Sequence, residues 1–192
     1  MDYFNYKQDE LFAEEVSLKD IAEQHGTPAY VYSRATLERH AKAYTDSFSA
    51  MSGLVCFSVK ALSNISILKV LKDCGCGFDI VSGGELHRAL LAGADPQKII
   101  FSGVGKSEVE MAAGINNGIL SFNIESKSEL MRLESVASSM QKIAPIAIRF
   151  NPGVDAGVHE FTKTGRKSDK FGVSIEDALE LAKHCIRSKN LQ

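Results

Sequence analysis

Apolar residues in this chain follow two periods that take turns. Short β-branched or aromatic runs occupy 54–59, 77–81, 98–102, 119–123 and 145–151. They have the length and composition of strands in a buried sheet. Between and after them the spacing becomes that of a helix face. Ile67, Leu68 and Leu71 share one face, as do Leu86, Ala89, Leu90 and Ala92. Leu130, Leu133, Val136 and Ala137 make a third, and Ile175, Leu179, Ala182 and Ile186 a last one. The strand starts lie about 22–26 residues apart, room for a strand, a helix and two short loops.

Strands alternating with helices predict βαβ units and a parallel sheet. No Gly-x-Gly-x-x-Gly turn follows the first strand, which argues against a Rossmann domain. A (β/α)8 barrel fits better, but such a barrel needs eight units and about 250 residues. This chain has 192 residues and reaches Leu191-Gln192 where a sixth strand is due. The expectation is therefore an incomplete α/β barrel of about five βα units over 34–192, a fragment or a shortened reading frame.

Residues 1–33 stand outside the rhythm and are expected to feed a second, β domain. Within them, 17–25 predict a short amphipathic helix with Ser17 as its N-cap and Gly26 as its stop. Thr27-Pro28 then opens a predicted strand over 29–33. Ser33 caps a helix over 34–48 that carries Leu37, Ala41 and Tyr44.

Composition narrows the function classes. With 44% hydrophobic and 24% charged residues the chain can bury a core, so disorder is not expected. The net charge of −2 is interspersed, and no basic patch suggests nucleic acid. A small anionic ligand would have to be held by local groups. No apolar run approaches the ~20 residues of a membrane helix. The start, MDYFNYKQDELF, lacks the basic and apolar regions of a signal peptide. A cytoplasmic protein is expected. Cys74 and Cys76 form a C-x-C, not the C-x-x-C of zinc or redox sites. With Cys56 and Cys185 they are expected to be reduced, mostly buried thiols, and no metal site is expected.

Strand alternation points to one lysine. It puts Cys56, Ser58 and Lys60 on one face, and Val55, Phe57 and Val59 on the other. The bulky set suits the helix side, so the smaller set would face the barrel interior. Lys60 would emerge at the C-terminal end of the strand, where barrels of this kind place their chemistry. Burial favours the neutral amine, the form that attacks an aldehyde. A Schiff base and a solvated lysine just past a strand are both open on this pattern. By contrast, Gly103-Val104-Gly105-Lys106-Ser107 only imitates a phosphate-binding loop. That motif needs a glycine where this chain has Ile100, so these glycines are assigned to the loop after the third strand.

The neighbouring residues add specificity. Phe57-Ser58-Val59-Lys60-Ala61-Leu62-Ser63-Asn64, continued by Ile67-Leu68, Leu71 and Gly75, resembles the pyridoxal-phosphate (PLP) lysine motif of the alanine-racemase-like, fold-type III decarboxylases. Gly77-Phe78-Asp79-Ile80-Val81-Ser82-Gly83-Gly84-Glu85-Leu86 is similar to the second-strand signature of the diaminopimelate decarboxylases within that family. Arg88-Ala89-Leu90, Ala92-Gly93-Ala94-Asp95-Pro96, Ile100-Phe101-Ser102-Gly103-Val104-Gly105-Lys106, Phe122-Asn123-Ile124-Glu125-Ser126, Arg149-Phe150-Asn151-Pro152 and Lys170-Phe171-Gly172 follow in the family's order. The resemblance runs from about Tyr30 to Val173. Departures are Ser58, where the family has alanine, and Leu62, where it has asparagine. Val158-His159-Glu160-Phe161 stands where the family has Thr-His-Pro-Tyr.

The resemblance implies PLP as cofactor, with Lys60 as its Schiff-base lysine. It implies Asp79 and Arg149 as cofactor-binding groups near the ring. Asp79 can equally be read as a strand-end cap, Arg149 as half of a buried structural ion pair, and Glu85 as a structural residue. His159 is set aside because its loop departs from the family, and Lys170-Phe171-Gly172 is read as a packing feature. The implied reaction is decarboxylation of meso-2,6-diaminopimelate to L-lysine, in a homodimer whose small-molecule substrate exchanges with Lys60. The alternatives are a decarboxylase for ornithine, arginine or a polyamine precursor, and a non-catalytic PLP-binding protein. In the family the phosphate-binding glycines, the ring-stacking histidine, the acidic partner of the pyridine nitrogen and the reprotonating cysteine lie on later segments. The isolated chain is therefore expected to be inactive.

Overall fold

The sequence Ser-x-x-Glu occurs at three of the points where strand becomes helix. A helix begins with backbone N–H groups that have no partner, and this pattern supplies acceptors for them. In the computed structural model, which describes residues 2–152, 154 and 171–192, each pattern starts a helix. Ser82 caps α4 (Gly83–Leu91) and Glu85 turns back to accept from the Val81 N–H at 2.7 Å. Ser107 and Glu110 form a reciprocal capping box at α5 (Glu108–Asn117). Ser126 caps α6 (Lys127–Ser139), and Glu129 accepts from the Glu125 N–H at 2.9 Å.

These helices alternate with five parallel strands: β4 (Cys56–Ser58), β5 (Gly77–Ile80), β6 (Ile99–Phe101), β7 (Ser121–Ile124) and β8 (Ile146–Ile148). They pair in sequence order, β4 to β8. The helix α3 (Ile65–Asp73), with Asn64 as N-cap, links β4 to β5. After α7 (Ile175–Arg187) the chain returns to the sheet, and Leu191 bridges in parallel to Ala144. So the α/β alternation and the five βα units are as the sequence predicts, though every strand is shorter than its apolar run.

Register sorts the residues into two faces. Phe57, Phe78 and Ile99 are paired across β4–β6, Ile80 with Phe101, and Phe101 with Phe122. Phe78, Ile80, Ile99, Phe101, Phe122 and Ile124 are wholly buried under the helices. The other face carries Cys56, Ser58, Asp79, Ile100, Ser121, Asn123 and Ala147, all at least partly exposed. This is the polar, inner face expected of Cys56 and Ser58.

Near the N-terminus lies a separate antiparallel sheet, β1 (Phe4–Lys7), β2 (Glu10–Ala13) and β3 (Val16–Ser17). The first helix, α1 (Leu18–His25), has the predicted Ser17 cap and ends at Gly26, whose φ of 80° suits glycine. The next, α2 (Arg34–Ser47), has the predicted Ser33 cap. Two expectations are corrected. Residues 29–33 form no strand, because no neighbour offers them a ladder; Tyr30 is 92% exposed. The buried side of α7 is centred on Leu181 with Cys185 nearby, while Ile175, Leu179 and Ile186 face outward. That helix carries two apolar stripes of equal period, and periodicity alone does not say which one meets α6 and β8. Among the described residues no helix is long and apolar enough to cross a membrane.

Two outcomes test this packing. Gly114 lies inside α5, and a Cβ there would stand 2.6 Å from the Phe122 ring, itself stacked on Phe101 with centroids 5.9 Å apart. Gly114→Ala should therefore lower stability by about 1–3 kcal/mol in urea denaturation, despite the better helix propensity of alanine. Glu110 accepts from the backbone N–H groups of Gly83 and Ser107 and from the Ser107 hydroxyl, which holds its carboxyl below the ordinary 4.5. A lowered folded value stabilises above the unfolded one and is lost as pH falls through the folded one. Glu110→Gln should thus be less stable than the parent at neutral pH, and the gap in urea midpoints should close as the pH is lowered past 4.5.

Candidate functional site

Parallel pairing brings the C-terminal ends of β4 to β8 into one row, and the polar residues of the inner face collect there. Ser58 is level with Asp79 across β4 and β5. The Ser58 hydroxyl donates to Asp79 Oδ2 at 3.2 Å, and the Ser102 hydroxyl donates to Oδ1 at 2.5 Å. Asn123 Nδ2 in turn donates to Ser102 Oγ at 2.9 Å. Every donor in this chain points toward Asp79, so the network suits a carboxylate whose two oxygens are fixed in place. No ion pair to Asp79 forms among the described residues. Among the described residues the hydrogen-bond donors to Asp79 are side-chain hydroxyls and not backbone amides, which does not favour the strand-end-cap reading.

Lys60 lies just beyond. The strand stops at Ser58, and Val59–Ala61 form a 3-10 turn, so strict alternation ends one residue before the lysine. Val59 points into the core, wholly buried, and Lys60 is exposed. The lysine is thus at the expected end of the strand but on a turn rather than on the strand face. Cys56 sits one step back on the inner face. Burial first, and then the negative Asp79, push its thiol up to about 11, so at neutral pH it is a protonated lining group and not a nucleophile.

Arg149 follows β8. Its Nη1 donates to Glu125 Oε1 at 3.0 Å, and its guanidinium lies 4.9 Å from the centre of the Phe171 ring. Glu125 is 1% exposed at its side chain and accepts also from the Gly172 N–H at 3.1 Å. The structural ion pair is therefore present, and the Arg149 side chain remains 42% exposed at the row of strand ends. Phe171 and Gly172 pack beneath it, in keeping with a packing role. Lys170, His159 and the stretch from Val158 to Phe161 lie outside the described residues. Glu85 is structural, closing the N-terminus of α4.

Sequence reasoning missed the most buried charge pair among the described residues. Lys106, in the loop that only imitates a phosphate-binding motif, is 1% exposed at its side chain. Its ammonium has three N–H donors and three partners: Gly103 O and Asn123 O at 2.7 Å, and Glu129 Oε1 at 2.5 Å. Ser126-x-x-Glu129 marks a glutamate turned back toward its own strand end, but nothing local marks the lysine that meets it.

An exposed primary amine, a fixed carboxylate and a guanidinium thus gather at one end of one sheet. An amine can condense with an aldehyde, and the two charges can orient a polar aromatic cofactor bearing one. The donor set fits the aldehyde and ring of PLP. Residues 34–192 match the family model described as pyridoxal-dependent decarboxylase, pyridoxal binding domain. The chain is 50% identical over 183 residues to a diaminopimelate decarboxylase of Haemophilus influenzae, covering 95% of this chain and 44% of that one. Against one from Pseudomonas aeruginosa the identity is 52%, over 93% of this chain and 43% of the relative. The crystal structure of diaminopimelate decarboxylase from Helicobacter pylori complexed with L-lysine superposes with a TM-score of 0.87 at 40% identity, over 91% of this chain and 44% of that chain. The chain thus spans less than half the length of the relatives it matches.

Replacing Lys106 alone would leave Glu129 charged, buried and short of a donor. Lys106→Met should lower stability by ~3–5 kcal/mol in chemical denaturation. A loss under 1 kcal/mol would put the pair in the class of exposed ones.

Proposed function

This chain belongs to the pyridoxal-dependent decarboxylases, through their pyridoxal-binding domain, and from that membership we propose that it holds pyridoxal phosphate on Lys60, beside Asp79 and Arg149. The proposed reaction of the whole protein is removal of one α-carboxylate from meso-2,6-diaminopimelate, giving L-lysine and carbon dioxide. The names of the relatives support that substrate. The observation that carries the site is the convergence at the strand ends: an exposed amine after β4, and on β5 a carboxylate held by two hydroxyl groups.

Pyridoxal phosphate supplies, when bound, an aldehyde for an amine and a conjugated ring that takes up the electron pair left as the carboxylate departs. The chain supplies the rest. Lys60 offers its amine from a short turn braced by buried Val59, so the anchor point is fixed while the side chain reaches outward. Asp79 presents a negative charge whose direction is set by Ser58 and Ser102, and it favours a cationic group opposite it. Arg149 is held by a hydrogen bond to Glu125 and by the nearby Phe171 ring, which fixes where its positive charge lies. Orientation of this kind is the protein's main contribution to breaking one chosen bond at a carbon with several.

The same proposal divides the protein into residues 1–33, part of a second β domain, and 34–192, part of the barrel. The antiparallel β1–β3 sheet and the family match beginning at residue 34 support that division. A cytoplasmic homodimer is the assembly proposed for the whole protein.

The test is chemical. The chain is incubated with saturating pyridoxal phosphate, reduced with borohydride and mapped by peptide mass spectrometry. One pyridoxyl adduct on Lys60, lost in Lys60→Ala, is expected. A major adduct on another lysine, or none at all, overturns the assignment.

A further inference from the structure

The buried pair of Lys106 and Glu129 connects both charged groups of the site. Lys106 holds the carbonyl of Asn123, whose side chain donates to Ser102, whose hydroxyl donates to Asp79. Glu129 uses its second oxygen to hold the N–H of Glu125, whose carboxylate binds Arg149 and the Gly172 N–H. Both arms start from the 2.5 Å Lys106–Glu129 contact. They end on β5 and just after β8, the strands that flank β6 and β7.

Packing alone does not call for a lysine here. The site lies under apolar helices beside the Phe101 ring, 5.8 Å from the ammonium, where apolar residues of similar volume would serve stability as well or better. What apolar residues would lack is direction. The ammonium ties three separate segments to one point: the loop after β6 at Gly103, the end of β7 at Asn123, and the start of α6 at Glu129.

We propose that Lys106 and Glu129 are positioning residues for the cofactor-holding groups, one ion pair setting Asp79 through Asn123 and Ser102, and Arg149 through Glu125. This rests on the function proposed above, for which Asp79 and Arg149 face the cofactor. The pair touches no ligand itself. It acts by fixing backbone at two strand ends, as outer-shell partners fix the ligands of a metal.

The double variant Lys106→Met/Glu129→Leu removes both charges and leaves none unpaired, so it should fold where either single variant is weakened. Two readouts follow. In the cofactor-free chain, hydrogen exchange at the Gly172 amide reports whether Glu125 is still held. In the loaded chain, the concentration of pyridoxal phosphate that half-labels Lys60 under borohydride reports how well the site is set. Faster exchange at Gly172, with half-labelling shifted upward by about 10–100-fold while the thermal midpoint is kept, is the expected result. A folded double variant with unchanged exchange and unchanged labelling overturns the proposal and leaves the pair a purely structural feature. If the double variant does not fold, Lys106→Arg decides by the same two readouts. It keeps the charge but cannot bring three donors to one point, so the same shifts are expected and their absence overturns the proposal. If the parent chain takes no label at Lys60, the proposed function falls, and Gly172 exchange still decides whether the pair holds Glu125.

Discussion

A lysine ammonium beneath the helices of an α/β sheet is stable only if every one of its protons is met and its charge is balanced. Lys106 satisfies that condition with two carbonyls and one carboxylate, and the condition shapes much around it. Gly103 must turn its carbonyl inward, which its φ of 97° allows. Glu129 must turn back from the first turn of α6, which puts its other oxygen on the Glu125 N–H. Glu125, itself buried, then needs a cation, and among the described residues Arg149 supplies it. One buried charge thus obliges the next, and the sequence of obligations ends at the exposed row of strand ends.

A second constraint runs across the sheet. Parallel strands covered by helices must be apolar on the covered face, and Phe78, Ile80, Phe101, Phe122 and Ile124 meet that demand. The opposite face is free of it, so side chains there can answer to chemistry. Ser58, Asp79, Ser102 and Asn123 occupy it and bond to one another across four strands. Ser58 stands where the resembling family has alanine. Its hydroxyl gives Asp79 Oδ2 a donor that a methyl group could not, so this departure tightens the carboxylate and leaves the lysine two residues on undisturbed.

Strand order, helix positions and the polar face were legible because each follows from a short period in the sequence, and Cys56 and Ser58 face inward as alternation predicts. Alternation failed at Lys60 because the strand ends earlier than its apolar run, and a 3-10 turn resets the direction of each side chain. The outward face of α7 was misread for a related reason: period gives the stripes of a helix, but neighbours choose between them. The segment 29–33 has the composition of a strand and no partner to make it one. Lys106 and Glu129 escaped notice because they lie 23 residues apart, and no local pattern shows that two charges will meet across β6 and α6.

The exposure of Lys60 bears on how such a site works. A lysine that carries a cofactor has to release it to an incoming amine and take it back, so its side chain must move while its Cα does not. A strand interior would fix both, and a long loop would fix neither. The turn Val59–Ala61 does what is needed, because buried Val59 and the Leu62 N–H bond to the Val59 carbonyl at 3.0 Å lock the backbone on either side of the lysine. Fixed backbone with an exposed amine sets Lys60 apart from Asp79 and Arg149, whose side chains are bonded in place. In the proposed site the two kinds of group would divide the work: the bonded charges would define where a ligand lies, and the exposed amine when it is attached.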